Sequence, residues 1–211
     1  MPDGRQAGHW DEEEFCKGVI QKEIEKASQI KESSNLGARF EGRTFTNFDA
    51  KRDKAAFDAC SKYANNPNIL GSKRNSLLIM GPYGNGKTHL AAAVSNVLID
   101  RGIPVLFGTF ISHLENLREE IDHTGQKTYL SRMKTIPMLV IDDLGKEKKS
   151  AWTQQVLFDV INYRYEHLLP VIITTNLAAD DLASHVEGAV FSRINEMCYT
   201  VITTGKDYRQ L

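Results

Sequence analysis

The run Gly81-Pro82-Tyr83-Gly84-Asn85-Gly86-Lys87-Thr88 constrains this chain more than any other stretch of it. It fits G-x-x-x-x-G-K-[ST], and each part of that spacing has a physical task. Glycines let the backbone take left-handed angles and bring its N–H groups against phosphate oxygens. The helix that follows points its positive end at the same anion. Lys87 can reach the β- and γ-phosphates, and Thr88 can hold Mg²⁺. The context agrees: the run follows the apolar Leu77-Leu78-Ile79-Met80 and opens an alanine-rich helical pattern from Lys87 to Asp100. The candidate nucleotide set is therefore Gly81, Pro82, Tyr83, Gly84, Asn85, Gly86, Lys87, Thr88 and the adjacent His89. The Lys87 side chain is expected at the surface of an empty loop, so its truncation should open no core cavity.

A strand–loop–helix unit implies a parallel sheet, and the rest of the chain supplies it. Strands are expected at 76–80, 104–109, 138–142, 171–175 and 198–202, alternating with helices near 87–100, 111–121, 128–134, 151–167, 180–184 and 189–196. Upstream, a helical pattern runs from Asp11 to about Lys31. Arg39–Phe48 reads as an extended linker carrying Phe40, Phe45 and Phe48. Asp49 is expected to cap a helix over about 50–64. The division is an amino-terminal helix and linker over 1–48 and an ATPase domain over 49–211.

Two strand ends carry further chemistry. Met138-Leu139-Val140-Ile141 ends in Asp142-Asp143, which a parallel sheet puts beside the phosphate loop. Asp142 is placed to hold the Mg²⁺ shell with Thr88, and Asp143 to polarise the attacking water. Val171-Ile172-Ile173-Thr174-Thr175 ends in Asn176, which can orient that water or serve as a strand-to-loop cap.

Composition excludes several classes. The 211 residues suit one α/β domain, and a net charge of −1 gives no global basic field for nucleic acid. The three cysteines, Cys16, Cys60 and Cys198, form no CxxC pair, so neither a zinc site nor a disulfide framework is supported. No apolar run approaches the length of a membrane span and no signal pattern opens the chain, so a cytoplasmic location is expected.

Taken together, these motifs resemble the AAA+ ATPases, and within them the helicase loaders of the DnaC/DnaI type and the transposition helper IstB. The resemblance spans about 39–209. Its pieces are Arg39-Phe40, Thr44-Phe45-x-Asn47-Phe48, GPYGNGKTHLA at 81–91, LVIDDLG at 139–145, NYRY at 162–165, IITTNL at 172–177, SRINE at 192–196 and GKDYR at 205–209. It implies a three-layer P-loop NTPase core with a five-stranded parallel sheet of order 5-1-4-3-2. It gives Asn176 a sensor role and makes Arg193 the arginine supplied to a neighbouring subunit's ATP, so that Asp143, Asn176 and Arg193 form the catalytic set. Many AAA+ proteins add a C-terminal helical lid; with the chain ending at Leu211 none is expected, and Arg209 is the one candidate for the lid arginine's place.

The implied function is an ATPase, slow and stimulated by partners, that loads a replicative helicase and binds single-stranded DNA. ATP and Mg²⁺ are its cofactors, and its ATP site sits at a subunit interface. The helix over 11–31 is a candidate helicase-docking arm. Candidate DNA contacts are Lys127, Arg132, Lys134, Lys146, Lys148 and Lys149, with Phe110 and Tyr129 as aromatic platforms. An IstB-like transposition helper is the alternative. A small-molecule kinase and a nucleotide-gated adaptor with negligible hydrolysis are the rivals from other classes, the latter because Asp143 is a shorter carboxylate than Glu.

Overall fold

The computed structural model describes residues 25, 28–30, 32, 34, 36–66, 68, 70–124 and 128–204, excepting the side chains of 121–124 and 128. Most of the helix expected over 11–31 lies outside these residues; Glu25, Ser28, Gln29, Ile30 and Glu32 are helical. The elements run α1 (Ala38–Glu41), α2 (Lys54–Ala64), β1 (Ser76–Met80), α3 (Lys87–Asp100), β2 (Val105–Thr109), α4 (Phe110–Thr124) and α5 (Thr128–Thr135). They continue β3 (Met138–Leu144), α6 (Ala151–Glu166), β4 (Val171–Thr175), α7 (Ala179–His185), α8 (Gly188–Met197) and β5 (Cys198–Ile202).

All five strands pair in parallel, in the order β2-β3-β4-β1-β5. Read from the other edge this is the expected 5-1-4-3-2. The central strands β1 and β4 are buried at every position, as a sheet covered on both faces requires, whereas the edge strand β5 exposes Tyr199, Thr200 and Ile202. Alternate strand residues feed two cores. Leu77, Ile79, Phe107, Val140 and Ile172 face α2 and α3. Leu78, Leu106, Leu139, Ile141 and Ile173 face α4 to α8. The helix of the phosphate loop therefore lies in one layer and the helix bearing Arg193 in the other.

Three expectations need correction. The helix after the lead-in starts at Lys54, capped by Asp53, whose carboxylate accepts from Ala56 N at 3.1 Å. Asp49 instead accepts from Lys51 N and Arg52 Nε in the turn before it. The lead-in is not extended. It coils through α1 and a turn, and Asn96 on α3 donates to the carbonyls of Phe40, Glu41 and Arg43. Phe45 and Phe48 both pack on Phe57 of α2. Finally, β3 runs through both acids to Leu144, with a register shift against β4 between Ile141 and Leu144.

Candidate nucleotide-binding site

The phosphate loop leaves β1 at its C-terminal end. Gly81 has φ +146, and a Cβ there would sit 2.3 Å from the Thr203 carbonyl, so only glycine fits. Gly86 caps α3 with φ 90, a left-handed angle that frees the N–H groups of the first helical turn toward the loop. The chain after β5 backs the loop: Thr203 N and Oγ1 both donate to Met80 O, and Asn85 donates to Thr203 O. Asp53 reaches the same strap, accepting from Thr204 N at 2.7 Å.

Lys87 is only 5 % exposed, which corrects the expectation of a surface side chain. Its Nζ donates to Pro82 O at 2.6 Å and to Asn85 Oδ1 at 3.2 Å. Both acceptors are neutral, so the ammonium lies inside the loop without an anion from either of them. Thr88 Oγ1 donates to both carboxylate oxygens of Asp142, at 2.9 and 3.1 Å. Burial pushes the Asp142 carboxyl above its ordinary range. The Thr174 hydroxyl opposes that, the neighbouring Asp143 adds to it, and Thr88 and Lys146 oppose it further.

These residues fit Mg²⁺ bound with a nucleotide. Thr88 and Asp142 converge as hard oxygen donors beside a loop built for an anion. Among the described residues no three acidic, His or Cys side chains gather into a metal cluster. Magnesium suits such a site because it is commonly held by one or two protein oxygens, substrate phosphates and water.

The register shift at the end of β3 changes how the two consecutive acids are presented. Between Ile141 and Leu144 of β3 there are two residues, while only Thr174 separates their partners Ile173 and Thr175 on β4. Asp143 takes φ 57, a left-handed angle that aspartate tolerates better than most residues. In a regular strand consecutive side chains face opposite sides; a bulge breaks that alternation. Thr174 bridges both acids. Its hydroxyl donates to Asp142 Oδ1 at 2.6 Å and accepts from Asp143 N at 2.9 Å. Asn176 Nδ2 lies 3.5 Å from Asp143 Oδ1, at the outer limit of a hydrogen bond. The strand that ends in Asn176 thus supports the acids chiefly through Thr174, a residue outside the expected site set. The available signal was the hydroxyl that directly follows the apolar 171–173 run.

The remaining candidates fall elsewhere. His89 points away from the loop, with Nε2 2.9 Å from Thr44 O and its ring edge-on to Phe48. Its pKa is lowered, first by burial. Tyr83 is exposed on the loop. Arg193 packs against Phe158 and Tyr165 of α6 and donates to Ala189 O. Phe110 is fully buried and cannot serve as a base platform. Tyr129 is tied by its hydroxyl to His113 and Asn116, so it too belongs to the packing of α4 on α5. Among the candidate basic residues, Lys149 donates to Ser184 O and Lys134 lies 4.0 Å from Asp159. Lys127, Arg209 and the GKDYR stretch lie outside the described residues.

A family model described as IstB-like ATP binding protein matches residues 10–211. The chain belongs to this family. The Bacillus subtilis (strain 168) uncharacterized protein YqaM is 30% identical over 203 residues, covering 90% of this chain and 63% of the relative. The phage-like element PBSX protein XkdC of the same strain is 34% identical over 164 residues, covering 74% and 60%. The chain thus spans about three fifths of each relative's length. The crystal structure of the DnaC helicase loader superposes with a TM-score of 0.72 at 27% identity, covering 80% of this chain and 100% of that one. This is a helicase-loader-like AAA+ fold of an ATP-binding family. Among the described residues no helix is long and apolar enough to cross a membrane.

Proposed function

We propose that this IstB-like protein hydrolyses ATP with Mg²⁺ and uses the cycle to load a replicative helicase onto single-stranded DNA. The observation that carries the reading is the hydrogen bonding of Thr88, next to Lys87 at the end of the phosphate loop, to Asp142, next to Asp143 at the end of β3, in a chain that superposes on the DnaC helicase loader. Lys87 exchanges its neutral acceptors for β- and γ-phosphate oxygens. Thr88 and Asp142 would hold Mg²⁺, which would supply charge neutralisation on the phosphates. Asp143 accepts a proton from the attacking water; Thr174 holds its backbone N–H and Asn176 lies beside its carboxylate. Asn85 and the Thr203 strap fix the loop's shape, so little reorganisation remains for binding. Arg193 completes the site of a neighbouring subunit, and exposed Lys148 belongs to the DNA-facing surface.

Because the matching family model is described as IstB-like, a helper role toward a DNA transposase is the second reading. One experiment separates the two. The chain is immobilised with ATP and Mg²⁺ and offered host extract, and ATP turnover is followed with and without single-stranded DNA. Retention of a hexameric helicase with DNA-stimulated turnover is expected. Retention of a transposase in its place supports the helper role. An Asp143→Asn variant that binds ATP and turns it over at the wild-type rate would remove the assigned base.

A further inference from the structure

Lys146 lies where the proposed chemistry least needs a cation. Its Nζ is 2.6 Å from Asp143 Oδ2 and 5.4 Å from the centre of the Tyr83 ring. The lysine therefore spans the gap between the phosphate loop and the acid pair. A carboxylate oxygen paired this closely is occupied by the ammonium, which stands where an attacking water would have to approach it.

The backbone holds the lysine there from both sides. Gly145 has φ 98 and its N–H donates to Glu147 Oε2 at 2.8 Å. Glu147 is buried and its other oxygen lies 2.6 Å from His185 Nε2, which anchors the loop to α7. On the other side Lys146 N donates to Asp143 O at 3.4 Å. The turn is fixed, while the side chain that crosses it is not. The Lys146 side chain is 40% exposed and that of Asp143 is 24% exposed. A pair this open to water contributes little to stability and can be opened by a competing anion.

We propose that Lys146 is a restraint on turnover: it occupies Asp143 and releases it when a phosphate group draws the ammonium away. This rests on the reading of Asp143 as the base. The releasing phosphate is that of a nucleic-acid backbone, since a γ-phosphate bound in every turnover at saturating ATP would leave no restraint to relieve. Lys146, Lys148 and Lys149 form one basic run, of which Lys149 is occupied by Ser184 O.

The test compares wild type, K146A, K146R, D143N and D143N/K146A in the full chain. Turnover is measured at saturating Mg-ATP, with and without an oligothymidylate, and binding is followed with a fluorescent ATP analogue. K146A is expected to raise kcat without DNA by about fivefold at unchanged KM, the factor that opening one exposed ion pair supplies. K146R should keep the wild-type rate, and D143N/K146A should be as slow as D143N. The DNA stimulation should shrink in K146A, because the nucleic-acid backbone then has no restraint left to release; stimulation that persists in full overturns that release. Turnover seen in K146A and absent in wild type also supports the restraint. Unchanged or slower turnover in K146A that still binds ATP overturns it and leaves the ATPase reading intact. A gain that persists in the D143N background overturns it too. Bound ATP with no turnover in either wild type or K146A overturns the hydrolysis reading and the restraint with it.

Discussion

Thr174 shows how much a site can depend on a residue that takes no part in chemistry. It sits in a fully buried strand, and its single hydroxyl holds one carboxylate by its side chain and the next by its backbone. Thr174→Val keeps the shape and removes only that hydroxyl. Asp142 Oδ1 then keeps Thr88 alone, and the Asp143 N–H is left in the bulge without its acceptor. Leaving such a group unpaired costs about 1–3 kcal/mol. The expected outcome is a loss of that size in urea unfolding, with ATP turnover reduced more than ATP affinity, because the Asp143 backbone loses its tether. Wild-type stability together with wild-type turnover would show that the bulge holds itself. That the phosphate loop and the acidic pair come together was legible in the sequence, because each is contiguous and sits at a strand end. The bulge was not: a register shift exists only relative to a partner strand. The burial of Lys87 was equally hidden, since its acceptors Pro82 O and Asn85 Oδ1 appear only once the loop is folded.

At the scale of elements, the strands were readable because each is a short apolar run between turn residues. What local pattern could not show is how elements are tied together by single polar side chains. Two aspartates four residues apart both suit a helix start, and only the contact of Asp53 with Thr204 after β5 distinguishes them. Arg164 of α6, inside NYRY, is fully buried; it donates to the carbonyls of Met133, Lys134, Ile136, Pro137 and Pro170 and so joins the end of α5 to the starts of β3 and β4. Burial pulls its pKa down to about 9. A charge on a helix ordinarily reads as a solvated face, so nothing in the pattern announced this. His113 plays a similar part on α4. Its Nε2 lies 2.9 Å from Val140 O of β3 and must donate there, so Nδ1 of the neutral ring accepts from Tyr129 Oη of α5 at 2.8 Å. Burial lowers its pKa from 6.5 to about 4. In the folded chain the ring stays neutral, while in the unfolded chain it takes up a proton below 6.5. Its contribution is therefore whole above pH 6.5 and is lost as pH falls toward 4, by up to about 1.4 kcal/mol per pH unit. His89, shifted the same way, adds to the trend. Unfolding free energies of wild type and His113→Gln, compared from pH 7 to 5, should converge as the pH falls. A difference that stays constant over that window would mean the ring is not held neutral.

At the scale of the whole molecule, Arg193 separates a lone ATPase from an assembly. It lies on α8, in the layer opposite the phosphate-loop helix α3, with Val190, Ile194 and Met197 burying the helix in the core. Its guanidinium rests 5.6 Å from the Phe158 ring centre and 5.7 Å from that of Tyr165, and its Nε is buried with no hydrogen-bond partner. An ion pair with Glu196 would be the ordinary use of an arginine at this spacing. Glu196 instead accepts from Tyr165 Oη at 2.8 Å, and Arg193 forms no ion pair among the described residues. Among the described residues a forked, permanently charged group is thus held by aromatic faces without a carboxylate, which is what the proposed role in trans requires. An arginine supplied in trans to a phosphoryl transfer is worth roughly 10³–10⁵ in rate where chemistry is fast. A slow loader is expected to show less. Arg193→Ala should bind ATP normally and lose most DNA- or helicase-stimulated turnover. Lys87→Ala should bind no nucleotide. Mixing the two inactive variants should restore part of the activity, because one mixed interface pairs the intact loop of the Arg193→Ala subunit with the intact arginine of the Lys87→Ala subunit. Restoration should rise with total protein concentration, as association requires. Wild-type turnover by Arg193→Ala under stimulating conditions would refute the trans role, and two inactive variants whose mixture stays inactive at every concentration would place the arginine within its own subunit.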